Sequence, residues 1–86
     1  MDLGFTHGLP QVVVFHCRGF DDAQAVALAV RDQRTVLLQV DQLDPVEAQR
    51  VVDFVSGAVQ ALDGQSERLG EKTFLFAPAD VLLSSS

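Results

Sequence analysis

The chain has one cysteine, Cys17, no tyrosine or tryptophan, and only six basic residues against twelve acidic ones. A single cysteine excludes an internal disulfide. The shortage of cations leaves a net charge of −6, which disfavours phosphate backbones and anionic lipid as partners of this segment, so no nucleic acid is expected. No apolar run reaches membrane-spanning length and no signal-peptide pattern occurs, which gives a cytoplasmic expectation. Length is also scarce. At 86 residues the chain makes one small domain, and a domain of that size leaves much of its apolar surface uncovered, so self-association is expected.

What is present is clearest between Asp44 and Gly57. Asp44-Pro45-Val46-Glu47 places a carboxylate at an N-cap, proline at the first helical position and glutamate three residues after the cap. A long helix therefore starts at this point. Ala48, Val51, Val52, Val55, Val59 and Leu62 recur at spacings of three and four, forming one apolar stripe that faces a core. Gly57 lies off that stripe, between Phe54 and Ala61, where an interior glycine costs about 1 kcal/mol relative to alanine. A close approach on this second face would explain the glycine, which makes Phe54, Gly57 and Ala61 candidates for self-association.

The remaining elements follow in order. Residues 1–10 show no hydrophobic period and read as a leader or an added remnant, with the core domain spanning 11–83 and a frayed tail at 84–86. Val12-Val13-Val14-Phe15 reads as an interior strand covered on both faces. Asp21, with Gln24 three residues on, reads as the cap of a first helix over Asp22 to Arg31. Thr35 to Val40 is a second strand, and the strand, helix, strand unit suggests a parallel pair. Asp63-Gly64 ends the long helix, with glycine expected in the left-handed position. Ser66 to Leu69 and Thr73 to Ala77 then flank Gly70-Glu71 as a hairpin with a two-residue turn, and Val81-Leu82-Leu83 reads as an edge strand. The expected architecture is an α/β two-layer sandwich in the order β-α-β-α-β-β-β, with two helices on one face of a mixed sheet of about five strands. The other sheet face is left bare.

Val13-Val14-Phe15-His16, Arg18, Phe20-Asp21-Asp22-Ala23-Gln24, Leu43-Asp44-Pro45, the block from Glu47 to Phe54, Ser56-Gly57-Ala58, Gly70-Glu71-Lys72, Phe74-Leu75-Phe76 and Pro78 closely resemble the core of the bacterial cell-division family SepF. The resemblance covers roughly Val12 to Val81. It departs at Cys17, where proline is common, at Gly19, where serine is common, and at Gln60, where an aromatic residue is frequent. The resemblance implies a non-enzymatic adaptor at the division site. Such an adaptor dimerises or polymerises and binds the short, apolar and acidic C-terminal tail of the tubulin-like protein FtsZ. It also implies a C-terminal core domain, so membrane contact is expected only through an N-terminal segment absent from this chain. Arg68 and Phe74 fall where the family meets that tail, with Lys72 assisting.

The residues by themselves are less committal. Arg68, Lys72, Phe74 and Phe76 put two cations and two aromatics on one hairpin, which strand alternation alone explains as a core-facing pair of rings beside solvated charges. His16-Cys17 with His7 lacks the further ligands of a zinc site, and adjacent residues at a strand end point in opposite directions. Asp44 and Glu47 are accounted for by capping. The glycines form no phosphate loop. No catalytic residue, metal ligand or cofactor is expected. The competing reading is a small dimeric ligand-sensing regulatory α/β domain, which would need a well-formed apolar pocket with convergent polar groups.

Overall fold

The computed structural model describes residues 12–81. The elements are β1 (Val12–His16), α1 (Asp21–Arg31), β2 (Thr35–Gln39), α2 (Pro45–Ala61), β3 (Gln65–Arg68) and β4 (Thr73–Ala77). They form a four-stranded mixed sheet in the order β1-β2-β4-β3, with β1 parallel to β2 and the other neighbours antiparallel. The two-layer α/β architecture is as expected, with four strands among the described residues where about five were anticipated. Val81 lies in a bend, and the rest of the anticipated last strand, with residues 1–11 and 84–86, falls outside the described residues.

Strand register divides the sheet into two faces. Val36, Leu38 and Phe76 point into the helix layer and are fully buried. There they meet Ala23, Val26 and Val30 of α1 and Val51, Val55 and Val59 of α2. These helix positions recur every three or four residues, as a stripe on one side of each helix must. The opposite sheet face carries the cross-strand row Val14, Leu37, Leu75 and Glu67. It is only partly covered, since Val12 and Val14 remain 55% and 51% exposed. Among the described residues β1 is an edge strand with one face partly open, not the interior strand its unbroken β-branched run suggests. Four apolar residues in sequence fit a strand with two buried faces, but here Val12 and Val14 stay more than half exposed on the second face.

Local chemistry explains the helix ends. Asp44 accepts a hydrogen bond from the Glu47 backbone N–H at 2.8 Å, and Pro45 opens α2, as the sequence requires. α1 begins differently. Phe20 occupies its N-cap position without a side-chain cap bond, and Asp21 is already helical. Asp22 instead reaches back to accept from the Arg18 N–H at 2.9 Å, so the carboxylate ties the preceding loop to the first turn. After α2 the left-handed residue is Asp63, with φ of 61°. Gly64 is needed for space: a Cβ there would lie 2.5 Å from the Ala77 carbonyl oxygen and 2.7 Å from Val59 Cγ1. This close approach brings β3 against the end of α2.

The hairpin also differs from expectation. Arg68 pairs with Phe74, and both the Leu69 and Gly70 N–H groups donate to the Thr73 carbonyl, so Gly70, Glu71 and Lys72 form the connection. It is a three-residue turn rather than a two-residue one.

Candidate groove and outer helix face

The first half of α2 and the β3–β4 turn enclose an open groove of about 330 Å³. Ala48, Gln49 and Val52 form its helix wall, with Phe74 at the base and Arg68 and Lys72 at the turn. The placement follows from register. Arg68, Phe74 and Leu38 are cross-strand partners on the helix side of the sheet, and Leu38 is buried while Phe74, nearer the open end, is only half-buried. The family resemblance names Arg68, Phe74 and Lys72, and the fold brings all three to one groove.

Arg68 is well anchored. Its Nε donates to the Gly70 carbonyl at 2.9 Å and its Nη2 to the Glu71 carbonyl at 3.0 Å. The guanidinium carbon sits 5.5 Å from the centre of the Phe74 ring, within range of a cation–π contact. Phe74 in turn stacks toward Phe76, with centroids 6.4 Å apart and planes inclined by 16°. Lys72 is tied through its backbone, whose carbonyl accepts from Val40 N–H at 3.0 Å, while its side chain is exposed. Glu71 shares this lip and partly offsets the two cations. An apolar ring with positive charge beside it suits an extended peptide that has an apolar anchor and an acidic neighbour.

Sequence reading does not single out the helix wall. Ala48 and Val52 are assigned to the core stripe, yet both are half-buried and turn part of their surface to the groove. Their spacing with Gln49 on one side of α2 is the only local signal. Leu62, the last member of that stripe, is 41% exposed and does not join the core.

Phe54, Gly57 and Ala61 are exposed on the outer side of α2. A Cβ at Gly57 would meet nothing within 4 Å, so no neighbour inside the fold demands glycine. Phe54 packs edge-on against Phe20 at 5.2 Å between centroids, and Arg50 lies 5.5 Å from the Phe20 ring centre. Phe20 and Arg50 therefore extend this surface beyond Phe54, Gly57 and Ala61.

His16 and Cys17 diverge as strand geometry requires, His16 exposed and Cys17 buried. The Cys17 thiol points to the Gly19 carbonyl at 3.2 Å, and burial pushes its pKa above the ordinary thiol value despite that contact. His7 lies outside the described residues. Among the described residues no group of His, Cys, Asp or Glu is arranged to hold a metal ion, and no helix is long and apolar enough to cross a membrane.

Comparison with known proteins places the chain in one family. The family model for the cell division protein SepF matches residues 12–83. The cell division protein SepF of Gloeothece citriformis (strain PCC 7424) is 43% identical over 82 residues, covering 95% of this chain and 42% of the relative. That of Synechococcus sp. (strain JA-2-3B'a(2-13)) is 45% identical over 75 residues, covering 87% of this chain and 39% of the relative. The chain therefore spans about two fifths of the length of these relatives. Among solved structures, a SepF-like protein from Archaeoglobus fulgidus matches with a TM-score of 0.79 at 16% identity, covering 87% of this chain and 93% of that one. The SepF of Methanobrevibacter smithii, solved in complex with FtsZ-CTD, matches with a TM-score of 0.68 at 13% identity, covering 88% and 99%. At such low identity these structures speak to the fold, and the fold agrees with the sequence match: the chain belongs to the SepF family of cell-division proteins.

Proposed function

We propose that this chain is a non-enzymatic adaptor domain that binds the C-terminal tail of FtsZ in the groove between α2 and the β3–β4 turn. It would act in the cytoplasm at the division site. The observation that carries the reading is the groove itself: a half-buried Phe74 flanked by Arg68 and Lys72, on a chain whose net charge is −6. Local positive charge on an acidic protein marks a place where an acidic segment is tolerated, and the ring supplies an anchor site. The solved complex of the Methanobrevibacter smithii relative with FtsZ-CTD supports the choice of partner. The open form of the groove favours an extended peptide over the enclosed pocket that a metabolite-sensing domain needs.

Self-association completes the proposal. The outer face of α2 at Phe54, Gly57 and Ala61 is the contact by which one copy meets another, as a dimer or within a larger polymer. Apolar exposure at Phe54 and open space at Gly57 support a close helix-to-helix approach there.

Calorimetric titration with an FtsZ C-terminal peptide tests the binding site. Phe74→Ala is expected to weaken binding by about 2 kcal/mol, as truncation of an aromatic anchor at a hot spot does. Arg68→Glu places a negative charge beside the ring and also weakens binding, more strongly at low ionic strength. Unchanged affinity in both folded variants removes the site assignment.

A further inference from the structure

Taking the groove as a peptide site, we infer that its two cations have separate roles: Arg68 is a positioning residue that holds the β3–β4 turn and the Phe74 ring, and Lys72 is the charge that meets an acidic side chain of the peptide. The division follows from what each side chain already touches. Arg68 commits Nε and Nη2 to the carbonyls of Gly70 and Glu71, so one guanidinium bridges two peptide units of the three-residue turn. Its guanidinium carbon also lies 5.5 Å from the centre of the Phe74 ring. The strand ladder at this end stops at the two N–H groups that share the Thr73 carbonyl, which leaves the Gly70 and Glu71 carbonyls to the arginine. A planar fork with donors in fixed directions makes this brace, whereas an ammonium on a flexible stem does not.

Lys72 is the converse case. Its carbonyl is held by Val40 N–H at 3.0 Å, which fixes where the side chain starts, at the lip of the groove. Among the described residues its ammonium has no hydrogen-bond or ion-pair partner. Glu71 lines the same groove and offsets one of its two positive charges, so removing the Lys72 charge leaves the lip without net positive charge. An unpaired ammonium needs no existing contact broken before it pairs with a carboxylate, whereas Arg68 would have to give up part of its brace.

Three proteins decide the matter: the unchanged chain, Arg68→Lys and Lys72→Gln. Each is titrated with an FtsZ C-terminal peptide at two salt concentrations, and its backbone amide exchange is followed without peptide. Arg68→Lys keeps the charge and is expected to weaken binding about tenfold with the same salt dependence, since the loss is one of turn geometry. It also speeds exchange of the Leu69 and Gly70 amides. Lys72→Gln is expected to weaken binding about two- to fivefold at low salt, to flatten the salt dependence, and to leave those amides unchanged. The assignment is overturned if Arg68→Lys binds and exchanges like the unchanged chain, or if Lys72→Gln keeps the full salt dependence. If the unchanged chain does not bind the peptide, the proposed function and the Lys72 role fall together. The exchange rates of Arg68→Lys then still decide whether Arg68 braces the turn.

Discussion

At the residue scale, two positions show how a side chain, or its absence, is read differently once its neighbours are known. Gly64 looks like a helix terminator, but the left-handed backbone belongs to Asp63 and the glycine instead admits a carbonyl from β4. Gly64→Ala places a methyl against the Ala77 oxygen and Val59, and overpacking of this kind costs about 1–3 kcal/mol. Chemical denaturation of the variant should show that loss as a lower midpoint at an unchanged slope. Cys17 is the second case. Burial raises its thiol pKa, so the folded chain resists ionisation at a pH where the unfolded chain ionises freely. Its contribution to stability is present in full below the ordinary thiol pKa and is lost as pH rises from there through the folded value. Stability should therefore fall on the alkaline side, and Cys17→Ala should flatten that part of the pH profile when unfolding is measured between neutral and strongly alkaline pH.

At the element scale, α2 serves three surfaces. Val51, Val55 and Val59 face the core, Ala48 and Val52 border the groove, and Phe54, Gly57 and Ala61 face outward. Gly57→Lys separates folding from assembly. No neighbour lies within 4 Å of a Cβ at this position, and lysine is a better helix former than glycine, so stability should hold or rise by about 0.5–1 kcal/mol. The same substitution sets a long charged side chain on the proposed contact face. Sedimentation should show the variant shifted toward smaller species than the unchanged chain, and an identical distribution would remove Gly57 from the proposed interface. The apolar stripe and the Asp44 cap were legible because both depend on neighbours three or four residues away in sequence. The groove was not, because its walls come from α2 and from a turn that follows β3.

For the whole molecule, the balance of covered and uncovered surface matters most. One face of the sheet carries both helices, while on the other Val12 and Val14 remain more than half exposed. A small domain with an apolar sheet face and an apolar helix face has two places where association removes surface from water. Light scattering across a dilution series should find a dimer that persists into the micromolar range. A monomer at high micromolar concentration would count against the adaptor reading.

The sequence alone determined the helix start at Asp44, the core stripe of α2, the α/β layering and the presence of an aromatic and two cations on the last hairpin. Each is written in residues close together along the chain, where backbone hydrogen bonding and periodicity act. Tertiary structure decided that β1 lies at the sheet edge, that Gly64 admits a carbonyl, and that Arg68 shares a face with Phe74 and is braced by the turn. Those outcomes depend on strand order, register and turn length. They arise from contacts between distant segments, where a shift of one residue moves a side chain to the opposite face of the sheet.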